Sequence, residues 1–197
     1  SSPASGKACF FAERFAALGH HLAVPHLDGG DFENLTLSGQ LAVIERTAAG
    51  HPVSLIGSSM GGYLAALYAA RHRETQKVVL MAPAFDFVRR WGERTTPQEV
   101  DAWRQTGYLS VFHYGVNAEQ RLSYRMMEDA PAHPDFPSVP QPCLIFHGLQ
   151  DDVVPHTASV EFQRRNPHVE LQLLDSGHEL TDQVEHMWDQ TRRFLGL

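Results

Sequence analysis

Short uninterrupted apolar runs alternate along this chain with stretches whose apolar residues return at helical spacing. Cys9 to Leu18 carries the helical pattern, ends at Gly19, and is followed by the strand-like run His21-Leu-Ala-Val-Pro25. Leu35 to Ala49 repeats the helical pattern and leads into His51-Pro-Val-Ser-Leu-Ile56. From there a Gly/Ser turn passes into an alanine-rich helical stretch, Tyr63 to His72. Lys77-Val-Val-Leu-Met-Ala82, Pro142-Cys-Leu-Ile-Phe-His-Gly148 and Val169 to Leu174 read as further short buried strands, and Leu180 to Leu195 as a closing helix. Strands that alternate with helices in this way belong in a parallel sheet with helices on both faces. The pattern predicts one α/β domain over residues 1–197.

The turn Gly57-Ser58-Ser59-Met60-Gly61 carries the strongest chemical signal, because a strand pattern leads in and a helical pattern leads out. A serine on such a turn needs small residues two positions to either side, since the flanking chain must approach closely. Gly57 and Gly61 meet that need for Ser59. For Ser58 the same positions are Ile56 and Met60, so Ser59 is the candidate nucleophile. A serine hydroxyl requires a base to take its proton, and the base requires an acid to fix its tautomer. Downstream, the strand ending at Gly148 opens into Leu149-Gln-Asp-Asp-Val-Val-Pro155, and the strand ending at Leu174 opens into Asp175-Ser-Gly-His178. His178 is the candidate base, with Asp151 or Asp152 as its acid. The order Ser, Asp, His places each group just past the carboxyl end of a predicted strand, where open α/β sheets gather their active groups.

His147-Gly-Leu-Gln-Asp151-Asp-Val-Val-Pro155 resembles the HGxxDxxVP segment of small α/β-hydrolase esterases, and this resemblance implies that Asp151 is the acid. His147 is expected to be structural, bonding loop backbone. Ser1-Ser-Pro-Ala-Ser-Gly-Lys-Ala8 resembles the SSPxSxKA stretch of the YqiA-like esterases, Gly57-Ser-Ser-Met-Gly-Gly62 their GSSxGG elbow, and Gly177-His178 their terminal GH. The resemblance covers nearly the whole chain. It implies an α/β-hydrolase fold and an oxyanion hole to which the amide of Met60, the residue after the nucleophile, contributes. Members of that family begin with an apolar strand and a His-Gly-Phe turn before the SSP segment, and that turn supplies a second oxyanion donor. This chain starts after that point, so its first strand and that donor are expected to be absent from the sequence as given.

Between Pro83 and Pro140 the strand-helix alternation breaks down, and residues 83–140 are expected to contain a small cap over the nucleophile. Its aromatics, Phe85, Phe87, Trp91, Trp103, Tyr108, Phe112 and Tyr114, either line an apolar acyl or alcohol pocket or pack the cap onto the sheet.

Composition narrows the function classes. A net charge of −7 excludes a strongly basic surface, and basic residues adjoin only as the pairs Arg89-Arg90, Arg164-Arg165 and Arg192-Arg193, read as solvated helix faces. No nucleic-acid partner is expected. No apolar stretch reaches the roughly 20 residues that span a bilayer, and no signal peptide opens the chain, so a cytoplasmic setting without membrane contact is expected. Cys9 and Cys143 are read as buried thiols rather than a disulfide. Twelve histidines invite a metal, yet neither HExxH nor paired Cys/His spacing occurs, and no phosphate or dinucleotide loop is present. No metal and no cofactor are expected. The reading is a serine esterase acting on small carboxylic esters of short or medium acyl chain, with a thioester or peptide as the alternative substrate. The rival is a noncatalytic binding or scaffold protein that retains the hydrolase fold.

Overall fold

The computed structural model describes residues 3–113 and 118–197. Ser5 caps α1 (Gly6–Ala17) by accepting the Ala8 amide, and Thr36 caps α2 (Leu37–Ala48) by accepting the Gly39 amide at 2.9 Å. β1 (Leu55–Ser58) feeds directly into α3 (Met60–Arg71), and β2 (Val78–Met81) follows. Next come α4 (Phe87–Arg94) and α5 (Pro97–Thr106), the latter begun by a capping box in which Thr96 and Glu99 satisfy each other's backbone amides. β3 (Tyr108–His113) and β4 (Ala118–Ser123) form an antiparallel pair, succeeded by the short α6 (Arg125–Asp129). The chain closes with β5 (Cys143–Gly148), α7 (Thr157–Arg165), β6 (Glu170–Leu174) and α8 (Val184–Leu195).

β1, β2, β5 and β6 form one parallel sheet in the order β1-β2-β5-β6. Side chains alternate across it. From β2 and β5, Val78, Leu80, Cys143 and Ile145 join Leu37, Leu41, Tyr63, Leu67 and Phe162 in one core cluster, on the side of α2, α3 and α7. Val79, Met81, Leu144 and Phe146 join Phe11, Phe15, Met187 and Trp188 in a second, on the side of α1 and α8. There the Trp188 ring meets Phe11 and Phe15 edge-on, at centroid distances of 5.8 and 5.1 Å. Helices thus cover both faces, as the run pattern predicts, and the chain has the α/β-hydrolase architecture.

Four expectations change. His21 to Pro25 is not a strand. A strand needs a ladder partner, and β1 pairs only with β2 among the described residues. Cys9 is exposed, since it lies on the outer side of α1; Cys143 is buried, and both thiols are free. Arg90 is not on a solvated face: it is buried and donates to the Phe85 carbonyl at 2.8 Å. Residues 83–140 contain the β3–β4 pair, which no strand pattern announced.

Most of the aromatics in that stretch are packed. Phe85 stacks on Phe162 at 4.2 Å, Phe87 meets Trp91, and Trp91 meets Trp103, whose indole N–H donates to the Leu122 carbonyl. Phe85, Phe87 and Trp103 are buried in the first core cluster, whereas Tyr108 and Phe112 are exposed. Tyr114 lies outside the described residues. No described helix is long and apolar enough to cross a membrane.

Candidate active site

Ser59 stands between β1 and α3 with φ 53° and ψ −122°. A non-glycine residue rarely occupies this region, and it persists only where its surroundings over-determine it. Here they do. The Ser59 amide donates to the Met81 carbonyl at 2.9 Å, and the Ser59 carbonyl accepts from Gly62, Tyr63 and Ala84. The close approach that makes the turn possible falls at Gly57, where a β-carbon would lie 2.3 Å from the Gly61 oxygen. It falls also at Gly62, where one would lie 3.1 Å from Pro83. Gly61 itself has room, its nearest contact being Leu27 at 4.0 Å. The sequence pattern singled out Gly57 and Gly61; the crowded pair is Gly57 and Gly62.

His178 bridges the other two groups. Its Nε2 is 3.1 Å from Ser59 Oγ and its Nδ1 is 2.8 Å from Asp151 Oδ2. Asp151 is buried, and its Oδ1 accepts the amides of Val153 and Val154 at 2.9 and 2.7 Å. Burial pushes its carboxyl toward higher pKa. The hydrogen bonds from His147, His178 and the Val154 amide outweigh that and hold it well below the usual carboxylate range. An ionised Asp151 can only accept, so the His178 proton resides on Nδ1 and Nε2 presents its lone pair to the Ser59 hydroxyl. Asp152, the competing acid, is exposed, and its carbonyl rather than its carboxylate is engaged, by Arg94.

Met60 is the first residue of α3, and the first amides of a helix have no partner within it. Its N–H is therefore free of helical bonding and adjoins Ser59 Oγ through the chain, while the Ser59 amide is committed to Met81.

Other residues complete the site beyond what motif spacing revealed. His147, fully buried at the end of β5, has Nε2 2.8 Å from the Val154 carbonyl and 3.1 Å from Asp151 Oδ2, with Nδ1 2.7 Å from Ser159 Oγ. It bonds loop backbone, as expected, and also backs the acid itself. From α4, Arg90 and Arg94 both donate to the Val153 carbonyl, so this helix clasps the acid loop. The signal in the sequence was the Arg89-Arg90 pair, whose second member turns inward.

Another serine and histidine lie in contact away from this site. Ser38 Oγ is 3.1 Å from His133 Nε2, but His133 Nδ1 faces the Arg71 guanidinium at 2.8 Å. Arginine only donates, so Nδ1 is the acceptor and Nε2 carries the proton. His133 cannot then accept a proton from Ser38, which instead donates to Asp129 at 2.6 Å. Burial, together with Arg71, lowers the His133 pKa despite Asp129. This cluster ties α2, α3 and α6 together, whereas the His178 ring beside Ser59 is oriented to receive its proton. Among the described residues no group of three or more His, Cys, Asp or Glu side chains could hold a metal ion.

The fold recurs in solved structures. Alpha/beta hydrolase domain-containing protein 10 from mouse matches with a TM-score of 0.80 at 19% identity, over all of this chain and 86% of that one. Est1E from Butyrivibrio proteoclasticus, in a structure with ferulic acid bound, matches at 0.77 and 19%, over 99% of this chain and 84% of that one. The monoacylglycerol lipase of Paleococcus ferrophilus matches at 0.62 and 16%, over 85% and 78%. No curated protein matches the chain. The model of one family, described as "Uncharacterised protein family (UPF0227)", matches residues 1–195. With that match over the whole sheet and all three loops of the site, the chain belongs to the UPF0227 family, the YqiA-like family that its opening stretch, elbow and terminal Gly-His resemble.

Proposed function

We propose that this chain is a serine hydrolase that cleaves carboxylic esters of short or medium acyl chain. The observation that carries the reading is the His178 imidazole, with one nitrogen 3.1 Å from Ser59 Oγ and the other 2.8 Å from an ionised Asp151. In this mechanism Ser59 Oγ attacks the ester carbonyl as His178 Nε2 takes its proton, and Asp151 stabilises the imidazolium that forms. The Met60 N–H donates to the oxyanion. His178 then returns the proton to the departing alcohol, leaving an acyl group on Ser59. Water, deprotonated by His178, attacks the acyl carbon, and collapse of the second tetrahedral intermediate releases the acid and restores Ser59. No cofactor enters these steps. Fold neighbours named as a monoacylglycerol lipase and as Est1E with ferulic acid bound lend support to a small acyl ester.

Labelling with a fluorophosphonate probe tests the reading, with the adduct mapped by mass spectrometry. Modification of Ser59 that is lost in Ser59→Ala and His178→Ala is expected. A folded chain that takes no label would instead favour a binding protein on a hydrolase scaffold.

A further inference from the structure

The Lys7 ammonium takes no part in the chemistry proposed above, yet it is buried beside it. Lys7 lies in the first turn of α1, where a cation faces the positive end of the helix dipole. Its side chain is only 10% exposed, and burial of an ammonium is costly unless it is paired. Burial lowers its pKa, and Glu179 offsets part of that. Helix electrostatics and solvation both oppose a lysine here, so its placement must answer to a contact outside its own helix.

That contact is the turn carrying His178. Lys7 Nζ donates to the main-chain carbonyl of Glu179 and stands 3.6 Å from the Glu179 carboxylate. The carboxylate is 75% exposed, so the ion pair is screened and the carbonyl bond is the more specific of the two. The turn is fixed on both sides of the histidine. Before it, Ser176 accepts the Gln150 amide at its carbonyl and donates its hydroxyl to Asp182. After it, Leu180 is buried with φ 54°. Gly177, His178 and Glu179 lie between these anchors, and Lys7 ties this middle part to α1.

We propose that Lys7 is a positioning residue, holding the Glu179 carbonyl so that the His178 ring spans Ser59 and Asp151. The inference rests on the serine hydrolase reading. It extends that reading to a residue from the opposite end of the chain, within the segment that resembles SSPxSxKA. A displacement of about 1 Å at such a ring costs on the order of a hundredfold in rate.

The test compares wild type with Lys7→Met, which keeps the length of the side chain and removes its charge and donors, and with Lys7→Arg, which restores a cation. Folding is followed by circular dichroism. Activity is followed by the rate of Ser59 labelling and by kcat and KM on p-nitrophenyl butyrate. The place of the ring is followed by the NMR signal of the His178 Nδ1 proton. A folded Lys7→Met is expected to lose about ten- to hundredfold in kcat and labelling rate with KM little changed. Its Nδ1 proton signal weakens, and Lys7→Arg recovers part of both. A folded Lys7→Met with wild-type kcat and an unchanged proton signal overturns the proposal. If wild type labels at no serine, the hydrolase reading falls by itself, and the proton signal still decides whether Lys7 places the ring. Should Lys7→Met not fold, Lys7→Gln is read by the same two measures.

Discussion

A β-carbon added to Gly148 would lie 2.3 Å from the carbonyl oxygen of Ser176 and 2.5 Å from that of Gly177. Gly148 ends β5 and opens the loop of Asp151, while Ser176 and Gly177 lead to His178. The acid and base loops therefore touch main chain to main chain, at a spacing only glycine permits. Gly148→Ala must move one loop off the other. We expect it to cost about 1–3 kcal/mol in urea unfolding, as overpacking does. In the chain that remains folded, it should slow Ser59 labelling by about a hundredfold.

The elbow glycines make a sharper comparison, because the serine motif marks Gly57 and Gly61 whereas the crowding falls on Gly57 and Gly62. Gly57→Ala sets a methyl group against the Gly61 carbonyl, which is rigid backbone, and should destabilise by about 3 kcal/mol or prevent folding. Gly62→Ala meets Pro83 at 3.1 Å and should cost less. Gly61→Ala has space within α3 and gains helix propensity, so its unfolding free energy should lie within about 1 kcal/mol of wild type, on the stabilising side. Urea denaturation of the three variants checks the order.

These glycines show where the sequence was legible and where it was not. Ser59 and His178 could be named because each follows an apolar run and a glycine, and strand ends in a parallel sheet converge; the same pattern left Asp151 and Asp152 open, and the resemblance to the HGxxDxxVP segment pointed to Asp151. Which backbone approaches which is a matter of three dimensions, so spacing could not separate Gly61 from Gly62. The run His21 to Val24 is apolar enough for a strand, but pairing needs a neighbour, and none of the described strands supplies one. Arg90 looked like Arg89 because two adjacent arginines read alike as charge, yet one turns in to hold Val153 while the other pairs with Asp86 and Glu93. Lys7 was visible only as a letter in a motif, since its partner stands 172 residues away.

The two cysteines should separate cleanly by accessibility. Cys9 is exposed on α1, whereas Cys143 is buried in β5, where desolvation pushes its thiol up to about 12. The thiolate is the reactive form, so at pH 8 a buried thiol of this kind is inert. Titration with Ellman's reagent should release one equivalent from the native chain and two after denaturation in guanidinium. Cys9→Ser should abolish the native reaction alone, and two fast equivalents from the folded chain would contradict the buried place of Cys143.

Asp151 sets the response of the fold to acid. Burial alone would raise its pKa; hydrogen bonds from His147, His178 and the Val154 amide more than reverse this, so the folded value lies below the unfolded one. Folding then favours the ionised form. The resulting stability is present in full above the unfolded pKa of about 4 and is lost as pH falls toward and through the folded value. Asp151→Asn removes this contribution. The gap in unfolding free energy between wild type and Asp151→Asn should therefore be widest near neutral pH and shrink below about pH 4. A gap that stays constant from pH 7 to 3 would mean that hydrogen bonds do not hold the carboxylate. Activity responds for a different reason. An amide at this position can donate to His178 Nδ1 and reverse the ring's tautomer, placing the proton where Ser59 needs a lone pair, so kcat at pH 7 should fall on the order of 10⁴. Asp152→Asn should stay within a few-fold of wild type, because Asp152 engages Arg94 through its carbonyl and leaves its carboxylate exposed.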